Sequence, residues 1–450
     1  MNDAGSSRHT AADVLGHLIE GAVGGELPFR VRFWDGSTLG PREAAATLVI
    51  ARRRALRRLL WAPDEIGLAR AYVTGDLDLE GDLFGALGGV LELIRPDEIV
   101  GRRPGVRILA RLAMAALRLG VVGPPPRPPR EEVRLRGRRH TRRRDARAIA
   151  HHYDIGNEFY RRVLGESMTY SCAYWAHPEF DVAEPSDLAA AQFAKCDLVA
   201  RKLALAPGMR VLDVGCGWGT FALHAARTYG ARVVGVTLSA PQADFARKRM
   251  AEEGVGELVE IRVQDYREVN DGPFDAIASI GMAEHVGAPN LAGYAADLFA
   301  LLRPQGRLLN HAISLRPDDP QQAPESSSFI DRYVFPDGEL VPIATMIATL
   351  ENAGFEVRDM ESLREHYALT LRAWVANLER NWDAAVDAAT PVRARVWRLY
   401  MTASALSFEA NTIGVNQVLA VKPGPGGRSG MPLTRARLLG ATGMDERRST

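Results

Sequence analysis

The stretch Val211-Leu-Asp-Val-Gly-Cys-Gly-Trp-Gly-Thr220 decides the fold of this 450-residue chain. Its apolar first half, which ends at Val214, is typical of a buried strand, and a helix is predicted to begin at its last residue. Between the two, Gly215, Gly217 and Gly219 carry no Cβ, so the backbone can pass close to a ligand. At the carboxyl end of a strand, such a loop predicts a binding crevice at a topological switch point.

Short Val/Ile-rich runs alternate with helical stretches around this loop, which predicts a parallel sheet with crossover helices. The buried strands are expected at Met209–Val214, Val233–Thr237, Leu258–Val263, Phe274–Ser279 and Arg307–Ala312. The expected fold class is therefore α/β and doubly wound. A dinucleotide site would usually show GxGxxG and an acid about 20 residues on. Here the spacing is GxGxG, and the next strand ends in Thr-Leu-Ser without an acid.

The rest of the chain divides by composition into further segments. Residues 1–122 are predicted to form a smaller, mainly helical N-terminal domain with one β-like piece, Phe29–Phe33. Residues 123–150 contain the run GPPPRPPR and many Arg, which indicates a stiff, extended linker. The α/β domain is expected over residues 151–423, and residues 424–450 are expected to be a flexible tail.

The formal net charge of +1 is small because a strongly basic region and an acidic remainder nearly cancel. Residues 101–150 hold fifteen Arg and three acids, a balance of +12, so the remainder of the chain carries −11. Such asymmetry indicates a surface that meets something anionic. A lipid surface and a nucleic acid are the two partners this charge alone would fit.

Cysteine usage and hydropathy restrict the cellular compartments in which the protein is expected. Three Cys in a long chain argue for a reducing compartment, and no Cys/His spacing indicates zinc, so no metal is expected. The N-terminus lacks the pattern of a signal peptide. No stretch of 18 uncharged apolar residues occurs, so no spanning helix is expected.

A basic amphipathic helix is predicted over Val106–Val122. Its Arg107, Arg111 and Arg118 fall within roughly 40° of one another on a helical wheel. The apolar residues of the opposite side are Ile108, Leu109, Leu112, Ala116 and Leu119. Two readings stay open: the helix packs on its own domain, or it lies at an anionic membrane surface with Arg near lipid phosphates.

The glycine loop, with Asp213 before it, resembles that of the class I methyltransferases, which bind S-adenosylmethionine (SAM). Further motifs resemble the cyclopropane-fatty-acyl-phospholipid synthases and their mycolic-acid-modifying relatives, over about His152 to Leu419. The motifs are His152-Tyr-Asp-Ile-Gly-Asn157, Met168-Thr-Tyr-Ser-Cys-Ala-Tyr-Trp175, Gly281-Met-Ala-Glu-His-Val-Gly287 and Arg332-Tyr-Val-Phe-Pro-Asp-Gly338. The resemblance implies a Rossmann-like, seven-stranded methyltransferase sheet and a SAM-dependent enzyme. It also implies, more weakly, that the N-terminal domain engages lipid.

The resemblance also implies which residues hold SAM. They come from the two motifs before the first strand, from the glycine loop, and from the ends of the second and third strands. The expected set is Tyr153, Tyr170, Ser171, Asp213, Gly215, Gly217, Gly219, Thr237, Leu238, Ser239, Gln242, Gln264, Asp265 and Tyr266. In this set, a hydroxyl and an amide replace the usual ribose-binding acid, and Asp265 is expected to accept from the adenine amino group.

The reaction implied is methyl transfer to an unactivated cis double bond of a lipid chain. Attack leaves a carbocation, and a base must then remove a proton where water is excluded. In the family this base is bicarbonate, and its holders here would be Cys172, Glu284, His311, Ile313 and Tyr367. Backbone amides at Cys172 and Ile313, with the side chains of His311 and Tyr367, would donate, while Glu284 would accept the bicarbonate hydroxyl proton.

Two departures from the family pattern bear on the product. Ala283 stands where the family usually has Phe, which should enlarge the space beside the base, and Ser404 stands where some members have Cys. A cyclopropane ring and a methylene branch both stay open. The second product, made by an actinobacterial branch of the family, can be reduced to a methyl branch by a flavin or NAD(P)H-dependent partner.

The expected partners are membrane phospholipids with unsaturated acyl chains and an anionic membrane surface, and no nucleic acid. The expected location is cytoplasmic, peripheral at the inner membrane face. A reductase partner and a homo-oligomer stay open. Two alternative functions are a small-molecule N- or O-methyltransferase and a non-catalytic SAM-binding membrane protein. Neither accounts for the bicarbonate residues and the basic amphipathic helix together.

Overall fold

The computed structural model describes residues 9–23, 27–93, 106–133, 139, 141, 144–145, 148, 152–153, 155–177, 181–316 and 328–435. The chain packs as two units. The first falls within residues 1–134, 327–333 and 391–406, and the second within residues 135–326, 334–390 and 407–450. Residues 391–406 lie in the predicted α/β domain by sequence but pack in the first unit, so packing does not follow the predicted boundaries.

Helices and strands are numbered here along the described chain. The helices are α1 (Ala11–Val23), α2 (Arg53–Trp61), α3 (Glu65–Val73), α4 (Leu83–Leu93), α5 (Val106–Arg118), α6 (Asn157–Leu164), α7 (Pro185–Leu203), α8 (Thr220–Tyr229), α9 (Ala240–Glu252), α10 (Ala283–Val286), α11 (Leu291–Leu301), α12 (Phe329–Tyr333), α13 (Ile343–Asn352), α14 (Arg364–Arg380), α15 (Trp382–Ala388) and α16 (Pro391–Glu409). The strands are β1 (Arg30–Phe33), β2 (Thr38–Leu39), β3 (Ala46–Ile50), β4 (Leu77–Gly81), β5 (Arg210–Val214), β6 (Arg232–Thr237), β7 (Val259–Val263), β8 (Phe274–Ile280), β9 (Leu302–Leu315), β10 (Val341–Pro342), β11 (Glu356–Ser362) and β12 (Ile413–Val421). No described helix is both long and apolar enough to cross a membrane.

The first unit contains a four-stranded sheet in the order β2-β1-β3-β4. β1 pairs parallel with β3, and the other two pairs are antiparallel. The expectation of a single β-like piece among helices is therefore wrong. The missed strands are short, and β4 alternates buried Leu77 and Leu79 with Asp78 and Glu80, a pattern too brief to separate strand from helix by periodicity.

Residues 123–133 of the predicted linker pack in the first unit. The Trp61 indole N–H donates to the Gly123 carbonyl at 2.9 Å, and an Arg58 guanidinium N–H donates to the Arg127 carbonyl at 3.2 Å. Glu132, whose side chain is 1% exposed, accepts two hydrogen bonds from Arg70 at 2.7 Å. These hydrogen bonds hold both ends of residues 123–132 in place. Residues 134–138 lie outside the described residues.

The second unit contains the predicted α/β sheet, in the order β11-β12-β9-β8-β5-β6-β7, with the two-residue β10 pairing with β9. β7, β6, β5, β8 and β9 are mutually parallel, and β12 runs antiparallel between β9 and β11. The chain leaves β5 for β6 on one side and later returns to β8 on the other. The switch point therefore lies at the carboxyl end of β5, where the glycine loop begins.

Apolar cores on both faces of this sheet fix its strand ends. β5 sends Val211 into one core and Leu212 into the other, which is typical of a strand buried on both faces. Each such side chain contributes about 1.5–3 kcal/mol by leaving water. This packing holds the loops that follow β5, β6, β8 and β9 in a defined arrangement.

The predicted tail begins on the sheet edge. The Arg435 guanidinium lies 2.6 Å from the Asp359 carboxylate, and the Arg358 guanidinium donates to the Ser429 hydroxyl at 3.4 Å. Residues 424–435 thus contact β11, and the remainder of the predicted tail, 436–450, lies outside the described residues.

Candidate active site

The glycine loop has three residues in the left-handed region, with φ of 76° at Gly215, 54° at Gly217 and 77° at Gly219. A Cβ on Gly215 would stand 2.4 Å from the Met282 sulfur, so this position has no room for a side chain. A Cβ on Gly217 would meet nothing closer than the Gln242 amide nitrogen at 3.9 Å. Gly217 therefore presents bare backbone to the crevice, where a ligand can approach it.

The end of β6 forms a small buried network beside this loop. The Thr237 hydroxyl donates to the Gln242 side-chain oxygen at 2.9 Å, and the Ser239 hydroxyl caps α9 by accepting from the Gln242 N–H at 3.4 Å. Leu238 lies half-buried between them. Because Thr237 fixes the amide oxygen of Gln242, the amide N–H₂ is turned toward Gly217, as a polar contact to a ribose would need.

The end of β7 brings Asp265 against a residue that sequence reasoning missed. The Asp265 carboxylate accepts from Arg267 Nε at 2.8 Å and from a terminal guanidinium nitrogen at 2.6 Å. The same guanidinium lies 3.3 Å from Asp145 and over the ring of Tyr266. Gln264 stands one residue before and is half-buried. Arg267 thus already binds the carboxylate that was expected to accept from an adenine amino group.

Asp213 is buried at the end of β5, and its Oδ2 has no hydrogen-bond partner among the described residues. Burial raises the pKa of this carboxyl to about 7, against a lowering influence from Lys195. A buried carboxylate oxygen without a partner favours a polar ligand group beside it. The residue thus fits the cofactor-binding role predicted for it.

The motifs that precede β5 form an aromatic wall next to the glycine loop. The Trp218 indole N–H donates to Asn157 Oδ1 at 2.8 Å, and its ring lies 4.7 Å from Tyr160 and 5.8 Å from Tyr153. Tyr153 also meets Tyr170 edge-on at 6.2 Å. The structure therefore brings together both upstream motifs and the glycine loop, which are far apart in sequence.

The segment containing Ser171 and Cys172 is held by α14. The Ala173 N–H donates to the Thr370 hydroxyl at 3.1 Å, and the Trp175 N–H donates to His366 Nδ1 at 3.0 Å. Neither His366 nor Thr370 was predicted, because only the fold places α14 against this segment. Burial lowers the pKa of His366, so the ring is kept in the neutral form that can accept this hydrogen bond.

Glu284 stands on α10 just after β8. Its Oε1 accepts the Ile313 N–H at 2.7 Å, while its Oε2 is buried without a hydrogen-bond partner among the described residues. Burial raises the pKa of Glu284 to about 7. The amide of Ile313, predicted to donate to the base, is thus taken by Glu284 in this structure, because the carboxylate is the nearest strong acceptor.

His311 follows on β9 and is 2% exposed. Neither ring nitrogen has a hydrogen-bond partner within the described part of the chain. Burial, reinforced by Lys195 and Lys202, lowers the pKa of His311 to about 3, so the ring is neutral at physiological pH. A neutral ring offers one donor and one acceptor to a small polar molecule.

Tyr367 and Cys172 complete the predicted set. Tyr367 is 7% exposed, on α14, with its ring 6.0 Å from Trp374 and 4.8 Å from Phe408. Cys172 is fully buried, and its thiol donates to the Ala173 carbonyl at 3.1 Å. Burial raises the pKa of this thiol far above neutrality, which argues against a nucleophilic role.

A small cavity, with room for about one water molecule, opens beside Ala283 and Glu284. Its other walls come from β9, β12 and the segment that leads into α13. They are Asn310, Ala312, Ile313, Ser314, Glu339, Val341, Ile343, Met346 and Asn416. Asn310, Ala312 and Ser314 share one face of β9, and Ile313 also lines the cavity. Ala283 stands in the wall of this cavity next to Glu284.

These features fit the two groups that the sequence implies. The bare backbone at Gly217, the Gln242 amide and the unpartnered Asp213 oxygen fit SAM. The unpartnered polar atoms of Glu284 and His311 fit a small oxyanion that both accepts and donates hydrogen bonds.

Comparisons with known proteins agree with this site. A family model for mycolic acid cyclopropane synthetase matches residues 140–418. A probable fatty acid methyltransferase of Mycobacterium tuberculosis is 42% identical over 420 residues, covering 91% of this chain and 94% of that protein. The cyclopropane-fatty-acyl-phospholipid synthase of Escherichia coli is 39% identical over 268 residues, covering 60% of this chain and 66% of that protein.

Solved structures give the same result. The crystal structure of mycolic acid cyclopropane synthase CmaA1 complexed with SAH and CTAB is 32% identical, with a TM-score of 0.57, and covers 62% of this chain and 98% of that chain. The predicted class I methyltransferase fold and the predicted family are therefore confirmed. The chain is a SAM-dependent methyltransferase and belongs to the mycolic acid cyclopropane synthetase family.

Proposed function

We propose that this enzyme transfers a one-carbon unit from SAM to the cis double bond of an unsaturated acyl chain in a membrane phospholipid, through a carbocation, with bicarbonate as base. The observation that carries the proposal is the unpartnered polar atoms of two buried side chains, Glu284 just after β8 and His311 on β9 opposite Ile280, the last residue of β8. The product is either a cyclopropane ring or a methylene branch.

In this proposal SAM supplies a methyl carbon activated by its sulfonium, and bicarbonate supplies a base. The chain's own residues hold and orient these groups. Gly217 and Gln242 form the nucleoside side of the site, and the aromatic wall around Trp218 excludes water. Glu284, fixed by the Ile313 N–H at 2.7 Å, presents its free oxygen as an acceptor for an oxyanion hydroxyl proton. Neutral His311 donates from one ring nitrogen.

A direct assay tests the reaction. The protein is incubated with labelled SAM and vesicles of dioleoyl phosphatidylglycerol, and the fatty acids are analysed by mass spectrometry and NMR. One added carbon per acyl chain is the expected result, and NMR separates ring from methylene. Labelled product in a headgroup or a small molecule, with unchanged acyl chains, would instead make this an N- or O-methyltransferase.

The proposed role of Glu284 predicts a pH dependence. Because burial raises its pKa to about 7, turnover at saturating SAM and fixed bicarbonate is expected to rise with pH through about 7, as the accepting carboxylate forms. The raised pKa also means that protonated Glu284 favours the folded state. Its stabilising contribution is complete below about 4.5, the pKa of an ordinary Glu, and is lost as pH approaches 7.

Asp213 has a pKa of about 7 as well, so the two groups must be separated. Titration of Asp213 is expected to change the dissociation constant of SAM, whereas titration of Glu284 changes turnover at saturating SAM. A flat turnover profile between about pH 5.5 and 8.5 would contradict the role given to Glu284.

We also propose that the first unit meets the membrane through an exposed face of α5, α2 and residues 120–123. Two residues of the face predicted to be apolar, Ala116 and Leu119, are buried, whereas a third, Leu112, is 36% exposed. The outer side instead carries Met114 and Leu117, which are 53% and 63% exposed, next to exposed Arg111. Side chains of residues 106–109 lie outside what the structure describes.

The same surface continues onto α2. Trp61 is 59% exposed although its indole N–H is bonded to Gly123, and neighbouring Val122 is 57% exposed. Exposed apolar side chains interspersed with Arg fit the boundary between lipid phosphates and acyl chains. The partner this face fits is an anionic bilayer. The inner-face location, a reductase partner and homo-oligomerisation remain predictions.

Vesicle binding tests this surface. Reversing Arg111 and Arg118 to Glu is expected to weaken binding to phosphatidylglycerol vesicles at least tenfold at low salt, because each Arg near such a surface contributes about 1 kcal/mol. Lys248→Glu, on exposed α9, is the matched control and should have little effect. Binding by the double variant that matches wild type and does not change with salt would contradict the proposal.

A further inference from the structure

Two of the chain's four lysines are buried under the candidate site. Lys195 and Lys202 both lie on α7, seven residues apart, so they share one side of the helix. That side packs against β8 and β9, and the two residues are 2% and 1% exposed. A buried ammonium is costly unless an opposite charge or several hydrogen bonds compensate it, so each Lys requires a physical reason.

Lys202 is compensated within the protein. Its Nζ lies 2.5 Å from the Glu361 carboxylate and donates to the Gln417 side-chain oxygen at 2.8 Å. Because Lys can only donate, it fixes which end of the Gln417 amide carries oxygen. Lys202 is therefore a structural ion pair that ties α7 to β11 and β12.

Lys195 is different. Its Nζ donates to the Ser171 hydroxyl at 2.9 Å, and among the described residues no carboxylate lies within 4.0 Å of it. The ammonium is close enough to lower the pKa of Asp213, Cys172 and His311. Its charge thus acts on both the cofactor side, through Asp213, and the base side, through His311, while no described carboxylate forms an ion pair with it.

We propose that Lys195 is a positioning residue whose buried charge holds a small oxyanion in this site, so that the oxyanion and the sulfonium of SAM favour each other's binding. The proposal rests on the proposed function. An ammonium and a sulfonium in one buried pocket repel each other, and an anion between two cations removes that repulsion. Ser171, which accepts a hydrogen bond from Lys195, directly precedes Cys172, whose amide was expected to donate to the base.

Isothermal titration calorimetry of the full chain, without turnover, tests this coupling. In wild type, bicarbonate in place of chloride is expected to lower the dissociation constant of SAM at least about fivefold. The neutral product S-adenosylhomocysteine should show much less coupling, because it lacks the sulfonium charge. In Lys195→Met the coupling to SAM should vanish, and Lys195→Arg, which keeps the charge, should restore most of it.

Lys202→Met is the matched control, on the same helix face and equally buried. It is expected to lower the melting temperature by leaving Glu361 without its partner, yet to keep the coupling. Should Lys195→Met fail to fold, Lys195→Gln serves in its place. Full coupling in a folded Lys195 variant without charge, or no coupling in wild type, would overturn the proposal. Turnover that does not depend on bicarbonate would instead overturn the proposed base, which distinguishes the two failures.

Discussion

Glu284→Gln is expected to lower turnover on oleoyl phospholipid by about 10²–10⁴-fold while leaving SAM binding within about threefold of wild type. The substitution keeps the size of the side chain and can keep an oxygen facing the Ile313 N–H, which now bonds to Oε1 at 2.7 Å. It replaces the free carboxylate oxygen with an amide that cannot carry negative charge. The site would keep its shape and lose the acceptor that makes a bound oxyanion basic.

The measurement pairs single-turnover kinetics with calorimetric SAM binding. Glu257→Gln, at an exposed position in the loop before β7, is the matched control and should behave as wild type. Because Glu284 is buried and its pKa is about 7, Gln should not destabilise the fold at neutral pH. A folded Glu284→Gln variant with near wild-type turnover would show that Glu284 does not serve the base.

The local parts of this site could be predicted from sequence because each depends on neighbouring residues alone. The glycine loop follows an apolar strand directly, so Gly217 and Asp213 were placed by the strand–loop–helix pattern. The five parallel strands were found near their observed bounds, with β9 longer at both ends. The motifs around Tyr153, Tyr170 and Glu284 were recognised by family resemblance.

What could not be predicted depends on contacts between distant segments. The Ile313 amide was expected to serve the base, but the fold brings Glu284 to it across 29 residues. Arg267 donates a hydrogen bond to Asp265 only because of the direction that the Arg267 side chain takes after β7. Lys195 resembles any helical Lys in sequence, and only the packing of α7 on the sheet reveals that its charge is buried.

The buried polar groups of this site share one physical property. Glu284, His311 and Asp213 are buried polar groups that retain unpartnered atoms, and Lys195 is a buried charge with which no described carboxylate forms an ion pair. A protein core seldom tolerates several such groups together. Their concentration at one edge of the sheet indicates that binding of polar and charged ligands, rather than stability, determines their placement.

Gly217→Leu is expected to raise the dissociation constant of SAM at least about 100-fold, which corresponds to about 2.7 kcal/mol. The Cβ would point into the crevice, where only Gln242 Nε2 lies within 4 Å, so the folded protein has room for the side chain. The leucine would, however, block SAM from reaching the backbone of residue 217. A side chain at φ 54° also adds strain of about 1–2 kcal/mol.

Gly254→Leu is the control that separates backbone strain from blocking of the SAM site. Gly254 lies in the loop after α9, has φ 71°, and has no heavy atom within 4 Å of its Cβ position. Both variants should lose similar stability in thermal unfolding, because both force a side chain into the left-handed region. Only Gly217→Leu should lose SAM affinity. Equal SAM affinity in the two variants would mean that the cofactor does not pass over Gly217, and the crevice at the end of β5 would then not be the SAM site.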